Sequence, residues 1–225
     1  MFINESMSKN VITIDSDTGV LEAKGIMAEH HIRHLPVTDE DNKMVGIVTD
    51  RDIRSTMPSV LIDTCDIDAE KKKLEKLKVK DIMATNIISI SPLNTLEDAI
   101  LLMHKTRVGA FPVVDEDGRV KGIISIRDLM RAFVNVLGIK QPGTLLCILV
   151  EDKVGQMKKI VDAITEENIP FGSILVARYW EEGKRAVFPY LLTNTVAPVK
   201  RKLQSLGFEV LEPMEWYLDQ LPKKE

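Results

Sequence analysis

The stretch Gly46-Ile-Val-Thr-Asp-Arg-Asp-Ile53 runs from an apolar, β-branched segment into a hydroxyl residue, Thr49, followed three positions later by a carboxylate, Asp52. Ser/Thr-x-x-Asp/Glu at such a junction is the capping-box pattern, in which the hydroxyl accepts from a backbone N–H of the new helix and the acid reaches back. Taken alone, it predicts a strand followed by a helix start. The pattern is not alone, however. HLPVTDEDNKMVGIVTDRDI (34–53) lies over AFPVVDEDGRVKGIISIRDL (110–129), placing Pro36 on Pro112, Gly46 on Gly122, Thr49 on Ser125 and Arg51-Asp52 on Arg127-Asp128. Extended toward the N-terminus, the match holds from about residue 3 against about residue 79 at a constant offset of 76 without a gap.

Each copy carries the same pattern of elements. A short strand (Val11 to Ile14; Ile87 to Ile90) precedes a helix with apolar residues at Val20, Ala23 and Met27, or at Leu96, Ala99, Ile100 and Met103. The helix must end before the proline, which puts His34 outside helical geometry. Leu35 to Thr38 and Phe111 to Val114 form a second strand, Asp-Glu-Asp-Asn/Gly a hairpin turn, and Val45 to Thr49 or Val120 to Ser125 a third. A final helix opens at Thr49 or Ser125. One such β-α-β-β-α unit leaves a sheet face uncovered, so the two copies are expected to pack together around a pseudo-two-fold axis.

Composition narrows the function. Charged residues are 28% of the chain, hydrophobic ones 44%, and the net charge is −4, with acids and bases balanced in both halves. A nucleic-acid partner held by a basic field is not expected. The two cysteines, Cys65 and Cys147, show no metal spacing and fit a reducing cytoplasm. The N-terminus lacks a signal-peptide pattern and no apolar run approaches a membrane span, so the expected location is cytoplasmic with no membrane partner. His30, His31 and His34 suggest a metal only until Pro36 removes the helical spacing; no metal is expected.

The repeated Met-Ser/Ala-x-Asn-Val/Ile-Ile opening, the Leu/Phe-Pro-Val core and the Gly-Ile-Val/Ile-Thr/Ser-x-Arg-Asp-Ile/Leu close resemble the tandem CBS-domain family, also called the Bateman module. The resemblance implies that an adenosine-containing ligand binds between the copies, with Thr49 and Ser125 on phosphate and Asp52 and Asp128 on ribose hydroxyls. The chemistry is coherent. A helix N-terminus favours a phosphate, and a carboxylate can accept two hydrogen bonds from a vicinal diol. Arg51 and Arg127 stand one position before each carboxylate, where they could neutralise a phosphate. Adenine would take the apolar slot formed by Val11, Thr13 and Pro36, or by Ile87, Ser89 and Pro112. The copies differ at Arg33-His34 against Gly109-Ala110, so the two sites are expected to be non-equivalent, with His34 a candidate phosphate or ribose contact and Ala110 its small counterpart.

Beyond the linker Gly138 to Gly143 the order is strand (LLCILV), helix (GQMKKIVDAITEEN), strand (GSILVARYW), hairpin turn, strand (RAVFPYLLT), helix (VAPVKRKLQSLG) and strand (FEVLEP). This βαββαβ order is that of the ferredoxin-like split unit. It resembles an ACT domain, and that resemblance implies an amino-acid site at the first strand-to-helix turn, Val154-Gly155; the whole order resembles AcuB-type acetoin-utilisation proteins. The expected fold is therefore α+β: repeat 1 over 1–61, a charged connecting segment over 62–78, repeat 2 over 79–137, a linker over 138–143 and the ACT-like domain over 144–225. The expected function is a non-catalytic regulatory sensor that binds AMP, ADP, ATP or S-adenosylmethionine. The ACT-like domain would dimerise it or sense an amino acid, and a homodimer or larger assembly is expected from the Met214 to Leu218 patch and the uncovered sheet face. A dimerisation scaffold with no ligand is the alternative.

Overall fold

The computed structural model describes residues 1–57, 73–181 and 183–211, so most of the charged connecting segment and the Met214–Leu218 patch lie outside the described residues. The chain divides into two compact units, Met1–Met130 and Arg131–Glu225.

In the first unit, copy one contains α2 (Val20–Glu29), β1 (His34–Thr38), β2 (Met44–Thr49) and α3 (Asp50–Ser55), preceded by a short α1 (Ile3–Ser6). Copy two repeats it as α4 (Leu96–Thr106), β3 (Ala110–Val114), β4 (Val120–Ser125) and α5 (Ile126–Val136), the last carrying the chain into the second unit. Each strand pair is antiparallel, and both slip register at the same place, after Val37 and after Val113. In both connecting turns an aspartate accepts from two backbone N–H groups: Asp39 from Asp41 and Lys43, Asp115 from Asp117 and Arg119. Of the predicted helix faces, Val20, Ala23 and Met27 in α2 and Leu96, Ala99 and Met103 in α4 are buried, and Ile100 is half-buried.

The first strand expected in each copy is reduced to a single parallel bridge, Ile14 to Val37 and Ile90 to Val113. Ile14 N–H donates to the Pro36 carbonyl and its own carbonyl accepts from Thr38 N–H, and then the turn closed by Thr18 N–H on Asp15 leads the chain away. The β-branched residues were read correctly as extended, but a turn follows too soon for a ladder to grow.

What completes each two-stranded sheet comes from the other copy. Ser8, in the opening segment of copy one, bridges Ile123 of β4; Ala84, in the opening segment of copy two, bridges Ile47 of β2. The same reciprocity continues through Phe2 with Thr95 and Lys78 with Gly19, and in the hairpins through Met44 N–H to Gly118 O and Val120 N–H to Asn42 O. Every one of these pairs maps onto another when 76 is added to one residue and subtracted from its partner, which is the pseudo-two-fold expressed as hydrogen bonds. Val79 from the second opening segment lies fully buried in the core of copy one with Val20, Leu35, Val48 and Ile53, and Ile3, its equivalent, is fully buried as well.

In the second unit, β5 (Thr144–Leu145) and β6 (Cys147–Glu151) run as one line along β8 (Lys184–Leu191), joined by Leu146 N–H to the Pro189 carbonyl. β9 (Glu209–Leu211) pairs the other edge of β6, and β7 (Phe171–Glu181) the other edge of β8, all antiparallel. α6 (Gln156–Thr165) and α7 (Ala197–Ser205) supply Ile160, Ala163, Ile164, Val199 and Leu203 to a core built on Leu146, Ile148, Val150 and Val187 of the sheet. Alternation puts Cys147, Leu149, Ala186 and Phe188 in a second, separate apolar cluster.

The opening-segment exchange explains the two repeated glycines. A Cβ at Gly46 would meet only Met83 side-chain atoms as its three nearest neighbours, whereas a Cβ at Gly122 would meet the Met7 side chain and also the Ser8 carbonyl oxygen at 3.0 Å. A methionine can swing aside, but a carbonyl locked in a bridge cannot. We expect Gly122→Ala to cost about 1–3 kcal/mol, the range for overpacking, and Gly46→Ala distinctly less, measured by urea unfolding. Equal losses would contradict this account.

Candidate functional site

Both Ser/Thr-x-x-Asp motifs form capping boxes. Asp52 Oδ2 accepts from Thr49 N–H at 2.8 Å and from the Thr49 hydroxyl at 2.7 Å, while Asp52 N–H donates to Thr49 Oγ1 at 3.3 Å. In copy two, Asp128 Oδ2 accepts from Ser125 N–H at 2.9 Å and from its hydroxyl at 2.6 Å, and Asp128 N–H donates to Ser125 Oγ at 3.3 Å. The strand sets each hydroxyl at the last β position and the box turns the chain directly into the helix. At Asp52 the box engages only Oδ2; no described group hydrogen-bonds Oδ1.

The register carries the flanking residues to these caps. His34 pairs with Thr49, and Ala110 with Ser125, so the basic and the small residue occupy equivalent places. His34 is half-buried. Burial pushes its imidazole below the ordinary value of 6.5, the neighbouring Arg33 charge pushes the same way, and Asp52 opposes both. Pro36 and Pro112 are buried mid-strand, and their carbonyls bond Ile14 and Ile90, so they are tied into the same layer as the strand pairs. Val11, Thr13 and Ile87 are half-buried, and Ser89, Arg51 and Arg127 exposed. Ser89 lines a shallow cavity of about 340 Å³ against α4, together with Asn94, Asp98 and Lys105.

The second unit contains a cavity of about 270 Å³ where β6 leads into α6, lined by Asp152, Lys153, Gln156, Arg178 and Arg185 over a floor of Val176 and Val187. Val154 and Gly155 do not line it; Val154 is fully exposed, and Gly155 takes φ of +93° as the residue that turns the chain into α6. Sequence reasoning passed over the two arginines. The alternation along β7 and β8 was the available signal, since Val176 and Arg178, like Val187 and Arg185, stand two residues apart and so share a face.

Other chemistry is sparse. Cys147 is buried, and desolvation, with a smaller contribution from Glu209, pushes its thiol up to about 11, so it is not a thiolate at neutral pH. Among the described residues, no group of three or more His, Cys, Asp or Glu side chains is placed to hold a metal ion, and no helix is long and apolar enough to cross a membrane.

The CBS domain pattern matches residues 3–59 and 79–135. A CBS domain-containing protein of Dictyostelium discoideum is 35% identical over 140 residues, covering 61% of this chain and 94% of that protein. The inosine-5'-monophosphate dehydrogenase of Methanocaldococcus jannaschii is 34% identical over 128 residues, 57% of this chain, and the match spans only 23% of the enzyme's own length. Among solved structures, CBSX2 in complex with AMP superposes with a TM-score of 0.51 at 27% identity, covering 62% of this chain and 98% of that one. AcuB of Vibrio cholerae shares the fold, with a TM-score of 0.52 at 24% identity over 62% of this chain and 95% of that one. The duplicated caps, the exchanged opening segments and two pattern matches spanning half the sequence agree: the chain belongs to the CBS domain family, as a tandem pair.

Proposed function

We propose that the protein is a non-catalytic regulatory sensor whose CBS pair binds an adenosine-containing ligand, AMP, ADP, ATP or S-adenosylmethionine, at the two capping-box helix starts. The observation that carries this reading is the Asp52 carboxylate, held by the box through one oxygen and leaving the other for a ribose diol. The AMP complex of CBSX2 supports it. Thr49 and Ser125, with Arg51 and Arg127 nearby, then face phosphate, and Val11, Thr13 and Pro36, or Ile87, Ser89 and Pro112, the adenine. The strand order β9-β6-β8-β7 supports reading the C-terminal unit as a ferredoxin-like ACT-type domain over 144–225, after repeats over 1–61 and 79–137. Its roles in this reading are dimerisation or the sensing of an amino acid near Gly155, in a cytoplasmic protein.

A ligand at about 100 times its Kd stabilises by about 2.7 kcal/mol, which a melting experiment resolves. We expect at least one adenosyl ligand to raise the melting temperature. Asp52→Ala should cost the ligand-free protein about 0.5–2 kcal/mol as a lost cap and also remove part or all of the ligand-induced shift, with Asp128→Ala removing a different share. If both variants melt lower yet retain the full shift, the motifs are caps only and the scaffold reading stands. Light scattering is expected to return at least twice the 25.3 kDa chain mass; a monomer mass would refute the assembly.

His34 adds a pH dependence to the first site. Its folded-state pKa lies below 6.5, so the unfolded chain binds the proton first, and the stability associated with the neutral imidazole is complete above 6.5 and lost as pH falls through the folded value. His34→Gln should therefore lose less stability than the parent between about pH 7 and about pH 5. Parallel urea curves for the two proteins across that range would exclude His34 as the source.

A further inference from the structure

We propose that the segment following β9, Glu212 to Leu221, folds back over the second face of the C-terminal sheet and seats its apolar side chains on Cys147, Leu149, Ala186 and Phe188. The segment lies outside the described residues. The proposal goes beyond the adenosyl-ligand reading and does not rest on it.

The first reason is burial without a described cover. α6 and α7 pack on the opposite face, where their apolar residues join Ile148, Val150 and Val187. On the second face the cluster consists of Cys147, Leu149, Ala186 and Phe188, and the apolar residues packed against it, Ala177 and Leu211, are again strand residues. An open sheet face leaves its side chains in water, yet Phe188 is 8% exposed and Ala186 0%. Desolvation, which pushes the Cys147 thiol up to about 11, reports the same cover.

The second reason is where the cover runs out. Across the strand order β9-β6-β8-β7, direct pairing places Leu211 beside Cys147, Leu149 beside Ala186 and Leu175 beside Phe188. On this face β6 and β8 are buried, whereas Leu175 on β7 is 47% exposed. The cover therefore extends from the β9 side across β6 and β8 and stops short of β7. β9 ends at Leu211, so the chain leaves the sheet at that same side.

The sequence of the segment fits the place. Pro213 has no N–H with which to continue a ladder. Met214, Trp216, Tyr217, Leu218 and Leu221 then follow in quick succession. Met214 and Leu218 share a side in either regular conformation, as i and i+4 of a helix or as alternate residues of an extended chain, and Asp219 lies off that side in both. From β9 to β8 is about 10 Å, which roughly seven helical residues span, so Glu212 to Leu221 is long enough. Seated there, the segment withdraws its own apolar residues and those of the sheet from other partners at once, and its release would expose both.

The test is the reactivity of Cys147 in the full-length protein carrying Cys65→Ser, which leaves Cys147 as the only thiol. Labelling by N-ethylmaleimide is followed by mass spectrometry with no ligand added, so the outcome is independent of the nucleotide sites. The expected rate is at least tenfold below that of the urea-unfolded protein, because labelling requires local opening, and it does not change with protein concentration. Met214→Asp/Leu218→Asp should raise the rate at least tenfold while keeping the circular dichroism of the parent, and Leu218→Ala, a milder change, should raise it by less. Asp219→Lys should leave the rate unaltered, and so should Ile160→Val, which loosens the core on the opposite face. If the double variant fails to fold, the comparison of Leu218→Ala with Ile160→Val decides. Labelling of the parent at the unfolded rate, no acceleration in Leu218→Ala, or equal acceleration in Ile160→Val would overturn the proposal, and a parent rate that rises on dilution would assign the face to a second copy instead.

Discussion

The first unit depends on an exchange: the opening segment of each copy closes the sheet of the other. A two-stranded hairpin is marginal by itself in water, and each copy contains only one. Ser8 on Ile123 and Ala84 on Ile47 add the missing backbone partners, and Met7 and Met83 lie on the glycines that make room for them. Neither copy can be completed from within its own 50 or so residues, so folding of one is tied to folding of the other. Val79 in the core of copy one is the most direct expression of that dependence, since a residue of the second repeat fills the hydrophobic interior of the first.

The exchange also determines what the helix starts can do. Because β2 and β4 are held on their second edge by the other copy's segment, Thr49 and Ser125 sit at the ends of braced strands. The capping box then consumes one carboxylate oxygen at Asp52 and fixes the direction of the other. In the proposed reading a cap and a ribose contact are compatible in one residue: the cap would pre-orient the carboxylate, a cost that ligand binding would not have to meet afterwards. Duplication makes the two starts equal in backbone, and side chains make them unequal. His34 and Ala110 occupy the same register position, one an imidazole whose pKa burial lowers, the other a methyl group.

The second unit is organised by different means. Its sheet is a single five-stranded surface whose core is built from alternate residues of β6 and β8 packed under two helices. A cavity lies where β6 leads through the loop Asp152 to Gly155 into α6. There the apolar row Val176 and Val187 gives way to Arg178 and Arg185.

Much of this was legible in the residues. The constant offset of 76 showed the duplication, the helix periodicity identified Val20, Ala23, Met27, Leu96, Ala99 and Met103 as buried, and Ser/Thr-x-x-Asp marked both helix starts, because each of these is a local rule of spacing or hydrogen bonding. Sequence alone could not distinguish Ile14 and Ile90 as single bridges from true strands, since β-branched composition sets extended backbone while ladder length depends on where the neighbouring strand ends. Nor could it show that residues 3–8 and 79–84 cross between copies, or that Arg178 and Arg185 share a cavity. Those are contacts between residues distant in the chain, decided by which surfaces remain open once the local elements have formed, and only the tertiary structure brings them together.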